Sequence, residues 1–166
     1  MDKITPCLWF DGQAEEAARF YTSIFPNSRI DRINRSPSDT PSGKAGEVLT
    51  VDFTLDGRTY VALDGGPEFK FTEAISLQVE CADQAELDRY WDALLADGGE
   101  PSVCGWLKDR FGLSWQVTPR RLQEMFTSPD REAARRAMEQ MLTMVKLDIQ
   151  PLERAFAGEG VGSTSR

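Results

Sequence analysis

The residues best suited to chemistry are polar side chains that alternate with apolar ones along short segments. Residues 113–118 alternate in this way, which predicts a strand with one apolar and one polar face, and Gln116 lies in the middle of the polar face. The polar positions of the predicted strands are Thr50, Asp52, Thr54, Ser76, Gln78, Glu80, Ser114, Gln116 and Thr118. Such a face is either the solvated side of an antiparallel sheet or a surface that binds a ligand.

Carboxylates and tryptophans near this face suggest two kinds of role. Asp52, paired with Glu80 or Asp64, could do general acid/base chemistry if burial raised the pKa of one carboxyl group. The ordinary alternative is that these groups are solvated or ion-paired. Trp9 and Trp106 could form walls for a planar or apolar ligand, or could lie between subunits.

The chain contains no histidine, which excludes Ser-His-Asp and Cys-His nucleophile systems and the common histidine metal sites. Residues 64–67 and 98–99 are glycine-bearing turn signals and do not begin a nucleotide-binding loop. Cys7 and Cys81 are expected to be small buried hydrophobes, and Cys104 is the most plausible reactive thiol.

Composition places the chain among soluble globular proteins. Its 166 residues are 40% hydrophobic and 28% charged, which suits one domain or two small halves that share a core. The net charge of -8 argues against a nucleic-acid partner, and no apolar run approaches the ~20 residues that span a bilayer. The first residues lack the features of a secretory signal, and the three cysteines lack a C-x-x-C spacing, so we expect a reducing cytoplasm.

The two halves of the chain repeat one design. Residues 13–15 (Gln-Ala-Glu) recur as residues 84–86, an offset of 71. At that offset, apolar positions of a strand and a helix also coincide: Ile4 with Ile75, Leu8 with Val79, Phe20 with Trp91 and Ile24 with Leu95. Each half therefore predicts a strand, a helix and three more strands.

Turn and cap signals mark the remaining elements. Asp56-Gly57 predicts a hairpin turn, Ser28–Arg35 an edge strand and Ser102–Lys108 a short strand. The strand that opens the second half is expected to bury Ile75, Leu77, Val79 and Cys81 beneath a helix.

Helices are predicted beyond Pro119. Arg120–Phe126 forms a short one, and Ser128 caps a longer one with Pro129 at its first position. The apolar stripe of the longer helix comprises Ala134, Ala137, Met138, Met141, Leu142 and Val145. A last helical segment contains Ile149, Leu152 and Phe156.

Four segments resemble one bacterial family. They are ITPCLWFDGQAEEAARFYTSIFPNS, VALDGGPEFKFTEAISLQVEC, CGWLKDRFGLSWQVTP and MLTMVKLDIQPLERAFAG. They are similar to the PhnB-like group, often labelled 3-demethylubiquinone-9 3-methyltransferase, of the vicinal oxygen chelate superfamily. That superfamily also holds glyoxalase I, bleomycin-resistance proteins and extradiol dioxygenases. The resemblance runs from Ile4 to Gly158.

The resemblance implies an α+β fold in which paired βαβββ modules, residues 3–66 and 74–119, form a cup-shaped, antiparallel-rich sheet. A C-terminal helical extension, residues 120–158, completes a single glyoxalase-like domain over residues 1–166. It also implies a cytoplasmic homodimer.

Enzymes of this superfamily hold a divalent metal with four side chains, typically His and Glu. Carried over, these positions fall on Thr5, on a residue within 61–64, on Ser76 and on Gln116, and within 61–64 only Asp64 could ligate a metal. Neutral oxygen donors do not replace imidazole and carboxylate for zinc, nickel or iron, although Asp64 with waters could hold a hard cation weakly. We therefore expect no metal and no cofactor.

The methyltransferase label finds no support in the motifs. The chain has no Gly-x-Gly motif after a strand to hold S-adenosylmethionine in the doubly wound fold, and no histidine to serve as a base.

The leading hypothesis is a metal-free small-molecule-binding protein. Its expected ligand-binding residues are Thr5, Cys7, Trp9, Asp52, Asp64, Ser76, Gln78, Glu80, Trp106 and Gln116. The alternative is an enzyme that uses carboxylates or a weakly held cation on a small organic substrate. A third hypothesis is a dimeric module without a ligand, whose cup is filled by its own side chains.

Overall fold

The computed structural model describes residues 3–159, which belong to two units, Met1–Phe71 and Thr72–Arg166. Each unit contains a four-stranded mixed sheet and a helix that packs against it, and the second unit carries three further helices. The predicted α+β class and the C-terminal helical extension are confirmed.

The first unit follows the predicted βαβββ order. Its elements are β1 (Cys7–Phe10), α1 (Ala14–Ile24), β2 (Arg29–Arg35), β3 (Val48–Leu55) and β4 (Arg58–Asp64). The sheet order is β1-β4-β3-β2; β1 pairs with β4 in parallel, and the other pairs are antiparallel. The strand predicted as an edge, β2, lies at the edge of the sheet.

The core of the first unit lies between α1 and one face of its sheet. Val51 and Phe53 of β3 are fully buried, as are Ala17 and Tyr21 of α1, because their spacing places them on the facing sides of a strand and a helix. The predicted hairpin turn at Asp56-Gly57 is confirmed, since these residues have φ of 43° and 79°, as a two-residue hairpin turn requires.

The second unit repeats the arrangement. Its elements are β5 (Ser76–Cys81), α2 (Gln84–Leu95), β6 (Glu100–Pro101), β7 (Trp106–Lys108) and β8 (Ser114–Pro119). The sheet order is β5-β8-β7-β6, with β5 parallel to β8. Leu87 and Leu94 of α2 are buried, and so are Trp115 and Val117 on the apolar face of β8.

Two strand predictions for this unit are wrong. The strand expected at Ser102–Lys108 is shorter and contains only β7, because Cys104 and Gly105 both adopt positive φ and turn the chain before Trp106. Ile75 lies outside β5 and its side chain is exposed, so only the later apolar residues of that segment approach the covered face.

The extension contains α3 (Arg120–Phe126), α4 (Arg131–Met141) and α5 (Ile149–Ala157). The bounds of α3 are as predicted, but the start of α4 is not. Asp130, rather than Ser128, caps α4 by accepting a hydrogen bond from the Ala133 amide at 3.0 Å, while the Ser128 hydroxyl accepts from the Asp130 amide.

The predicted apolar stripe of α4 is only partly buried. Ala134 and Ala137 lie in the core, but Leu142 and Val145 are exposed because the helix ends at Met141. Among residues 3–159, no helix is long and apolar enough to cross a bilayer.

Candidate functional site

The open face of the second sheet carries a ladder of side-chain hydrogen bonds between β5 and the chain of β8 and α3. The three pairs are Gln116 Nε2 to Ser76 Oγ (2.9 Å), Gln78 Nε2 to Thr118 Oγ1 (3.3 Å) and Arg120 Nε to Glu80 Oε1 (2.9 Å). The parallel register places Gln78 beside Gln116, so each pair runs diagonally to the next polar position along the chain. The ladder therefore orients these groups before any ligand binds.

A cavity of about 510 Å³, which we call the sheet cavity, lies over this ladder. Its lining consists of Gln78, Glu80, Cys104, Trp106, Gln116, Thr118, Pro119, Leu122, Gln123, Phe126 and Met141. The volume is within the range of small-molecule sites, and the lining combines polar groups with aromatic and aliphatic side chains. Four residues predicted as ligand-binding, Gln78, Glu80, Trp106 and Gln116, meet here, and Ser76 is attached through Gln116.

The sequence analysis missed one side of this cavity. Leu122, Gln123 and Phe126 of α3 and Met141 of α4 form it, and we call these four residues the extension wall. The signal that could have found them is the direct succession of β8 and α3 at Pro119-Arg120, which leaves no loop and places α3 at the end of the polar face.

Trp106 and Cys104 line another side of the sheet cavity. Trp106 of β7 is the register partner of Gln116, which places its indole on the polar face of the sheet. Cys104 is held by hydrogen bonds that its own amide and that of Gly105 donate to the carbonyls of Met144 and Val145, each at 2.8 Å. The thiol predicted as the reactive one therefore lies in the wall of the cavity.

The polar face of the first sheet carries a different arrangement. Asp52 accepts hydrogen bonds from the Arg32 guanidinium at 2.8–2.9 Å, so it is an ion-paired group. Thr5 and Asp52 line a groove of about 730 Å³ in this unit. The expectation that Cys7 is buried is wrong, because its neighbour Leu8 takes the covered position and Cys7 is exposed.

Asp64 has a structural role that the sequence did not reveal. It lies opposite buried Phe10 in the register, on the face covered by α1, rather than on the face of Asp52. Its Oδ1 accepts a hydrogen bond from the Ala14 amide at 2.8 Å, which caps α1 in place of Gln13. Desolvation by burial raises the pKa of Asp64, although the amides at the helix start act in the opposite direction. Asp64 is therefore engaged in capping α1, and its roles as a ligand, metal donor or acid stay predictions.

Trp9 is held by its own unit. Its indole nitrogen donates to the Gly66 carbonyl at 2.8 Å, and its ring meets Phe69 edge-on at a centroid distance of 5.0 Å. Gly65 passes so close that an added Cβ would lie 2.3 Å from the indole. These contacts account for the position of Trp9 by packing within its unit, and its role in ligand binding stays a prediction.

The registers identify the position in the first unit that corresponds to Gln116. Cys7 and Gln78 are equivalent at the offset of 71, and their parallel partners are Val61 and Gln116. The positions to which the resemblance assigns metal ligands are thus Thr5, Val61, Ser76 and Gln116, all uncharged. Such a set does not fit a transition-metal ion, and within residues 3–159 no three Cys, Asp or Glu side chains are grouped to hold one.

Residues 2–118 match the model of the family described as 3-demethylubiquinone-9 3-methyltransferase. The chain belongs to this family. It is 39% identical to a putative 3-demethylubiquinone-9 3-methyltransferase, PhnB protein, from Bacillus cereus, with a TM-score of 0.64 over 71% of this chain and 99% of that chain. The two βαβββ units and the family match confirm the resemblance to the PhnB-like group of the vicinal oxygen chelate superfamily.

Other solved structures are similar to the chain to a lesser degree. Protein PA1353 from Pseudomonas aeruginosa is 21% identical, with a TM-score of 0.60 over 72% of this chain and 98% of that chain. A glyoxylase/bleomycin resistance protein/dioxygenase domain from Frankia sp. EAN1pec is 17% identical, with a TM-score of 0.41 over 69% of this chain and 89% of that domain. No curated protein matches the chain.

The reaction in the family description implies a methyl donor such as S-adenosylmethionine. Phosphate- and nucleoside-binding folds place a glycine-rich turn between a strand and a helix. Here the carboxylates of Asp64 and Asp83 accept hydrogen bonds from backbone amides at the starts of α1 and α2. These residues do not fit a doubly wound S-adenosylmethionine site.

Proposed function

We propose that this protein binds a small organic molecule in the sheet cavity without a metal ion. The observation that carries the proposal is the hydrogen bond from Gln116 to Ser76, which joins two positions where the resemblance places metal ligands. Both are neutral, and each satisfies the other, so the floor of the cavity is arranged for hydrogen bonding rather than for metal coordination.

The arrangement of the cavity supports binding rather than acid/base chemistry. Glu80, the carboxylate in the lining, is paired with Arg120, and Asp52 in the first unit is paired with Arg32. Asp64 is committed to the start of α1. Since each carboxylate named for catalysis has a structural partner, no specific contact favours the alternative of an enzyme that uses them.

The family resemblance adds two further elements to the proposal, a homodimer and a cytoplasmic location. Sedimentation equilibrium of the purified full-length chain tests the first. A mass of twice the chain mass is expected, and a single chain mass across the micromolar range would contradict it.

Crystals soaked with a library of small organic fragments test the proposed site without assuming a ligand. We expect fragment density over Gln78 and Gln116, in contact with Trp106, because that is where shape and polar groups combine. Fragments found only in the groove that contains Thr5 and Asp52 would place the binding function elsewhere.

A further inference from the structure

The floor of the sheet cavity offers hydrogen-bond acceptors. Gln116 uses an amide hydrogen to bind Ser76, and Gln78 uses one to bind Thr118. In the part of the chain that the structure describes, their amide oxygens Oε1 have no hydrogen-bond partner. The carboxylate of Glu80 is a third acceptor in the same lining.

Charge in the lining is negative rather than positive. Glu80 is the charged residue among those that line the cavity, and its side chain is half exposed. The guanidinium of Arg120 is directed to Glu80, and the hydrogen bond to that carboxylate raises the pKa of Arg120. An anionic ligand would therefore lie beside the carboxylate of Glu80, with no free cation in the lining to balance its charge.

The extension wall supplies apolar surface opposite this floor. Leu122 is buried, while Phe126 and Met141 are partly accessible and line the cavity, so the wall presents an aromatic ring, a thioether and a branched aliphatic side chain. A flexible thioether beside an aromatic ring adapts to planar apolar molecules.

The extension wall lies outside the residues that match the family model. The family match ends at residue 118, and α3 begins at Arg120. The Bacillus cereus protein, aligned over 99% of its own length, corresponds to 71% of this chain. The wall thus lies beyond the matched region. The ion pair of Arg120 with Glu80 joins α3 to β5, and that of Arg121 with Glu153 joins α3 to α5.

We propose that the sheet cavity takes a neutral or cationic aromatic molecule that carries hydrogen-bond donors, and that the extension wall selects it. This inference rests on the proposed function, since it names the class of ligand for the same cavity. The donors of the ligand meet the amide oxygens of Gln78 and Gln116, and its rings contact Trp106 and Phe126.

Two fluorescent probes with the same ring system test the ligand class. N-phenyl-1-naphthylamine is neutral and has an N–H donor, whereas 8-anilinonaphthalene-1-sulfonate adds a sulfonate. Titrated into the full-length protein, the neutral probe is expected to bind about tenfold more tightly, because the sulfonate meets Glu80 and the amide oxygens. Equal or tighter binding of the sulfonate, or no binding of the neutral probe, would overturn the class.

Four variants locate the neutral probe. Trp106→Leu tests the cavity itself, Phe126→Ala and Met141→Ala test the extension wall, and Leu142→Ala is the matched control because Leu142 is exposed and outside the lining. We expect affinity to fall about tenfold in Phe126→Ala and in Trp106→Leu, to fall less in Met141→Ala and to stay unchanged in the control.

The outcomes separate the two proposals. Loss of binding in Trp106→Leu, with wild-type affinity in both wall variants, would leave the proposed function standing and overturn the role of the wall. Wild-type affinity in all of these variants would overturn the proposed function. If circular dichroism showed that Phe126→Ala is unfolded, Gln123→Trp would replace it, since it fills the cavity from an exposed position; unchanged affinity there would contradict the role of the wall.

Discussion

Gln116 donates a hydrogen bond to Ser76 across 2.9 Å, from the central position of β8 to the first position of β5. Neither side chain is charged, and both lie on the polar face of the second sheet. A pair of this kind fixes the rotamer of the glutamine and leaves its amide oxygen for a ligand. This pair is the reason for assigning a binding role, rather than a metal role, to the cavity above it.

Replacing Gln116 by Ala should destabilise the protein by about 1 kcal/mol, because a partly buried hydrogen bond is lost and the Ser76 hydroxyl loses its partner. Gln140→Ala is the matched control, since the Gln140 amide bonds Thr143 on the exposed surface at 3.3 Å and its loss should cost less than about 0.5 kcal/mol. Urea unfolding measures both free energies. Equal losses of unfolding free energy in the two variants would mean that the Gln116–Ser76 hydrogen bond stabilises the protein no more than an exposed one.

Asp64 offers a test of its capping role that also has a pH dependence. Asp64→Asn keeps an oxygen for the Ala14 amide, whereas Asp64→Ala removes the cap and should cost about 1 kcal/mol at pH 7. Burial raises the pKa of Asp64 in the folded protein above its value in the unfolded chain. The stabilisation linked to the protonated form is therefore fully present below the unfolded pKa, and it is lost as the pH rises through the folded pKa.

The Asn variant is uncharged at every pH, so it should be at least as stable as the wild type at pH 7, and the difference should shrink at low pH where Asp64 is protonated. Thermal unfolding at several pH values measures this. An Asn variant as unstable as Asp64→Ala would argue against the capping role.

Cys104 provides a reporter inside the sheet cavity. Cys7 is exposed and would react as well, so the experiment uses the Cys7→Ser variant. Cys81 is buried, and desolvation raises its pKa to about 12, so this thiol stays unreactive. The rate of modification of Cys104 by a disulfide reagent should fall about tenfold when N-phenyl-1-naphthylamine is present at ten times its dissociation constant. An unchanged rate would place the probe away from Cys104.

Local signals in the sequence were sufficient for much of the fold. The positive-φ pair at Asp56-Gly57 needs a dipeptide that tolerates that conformation, and α3 begins where Pro119 ends a strand, so both were predictable from neighbouring residues. The strand expected across Cys104 failed for a non-local reason, since the backbone at Cys104 and Gly105 is held by hydrogen bonds to Met144 and Val145, some 40 residues later.

The site was less predictable because its assignments depend on contacts between distant residues. Asp64 caps a helix that begins at Ala14, 50 positions earlier, and no pattern near either residue indicates this. The sequence pattern of the extension wall is that of an ordinary apolar side of short helices. Only the fold brings Phe126 and Met141 into the same cavity as Gln116. By contrast, Gln78, Glu80 and Gln116 follow directly from the period of two in β5 and β8.

The central claim is that the sheet cavity binds its ligand without a metal ion, and one titration tests it most directly. N-phenyl-1-naphthylamine is titrated into full-length protein dialysed against EDTA, and again after addition of Zn²⁺ or Ni²⁺. The account predicts the same dissociation constant within about twofold, because Ser76 and Gln116 offer no donors that such ions prefer. Binding that appears only after Zn²⁺ or Ni²⁺ is added would contradict it.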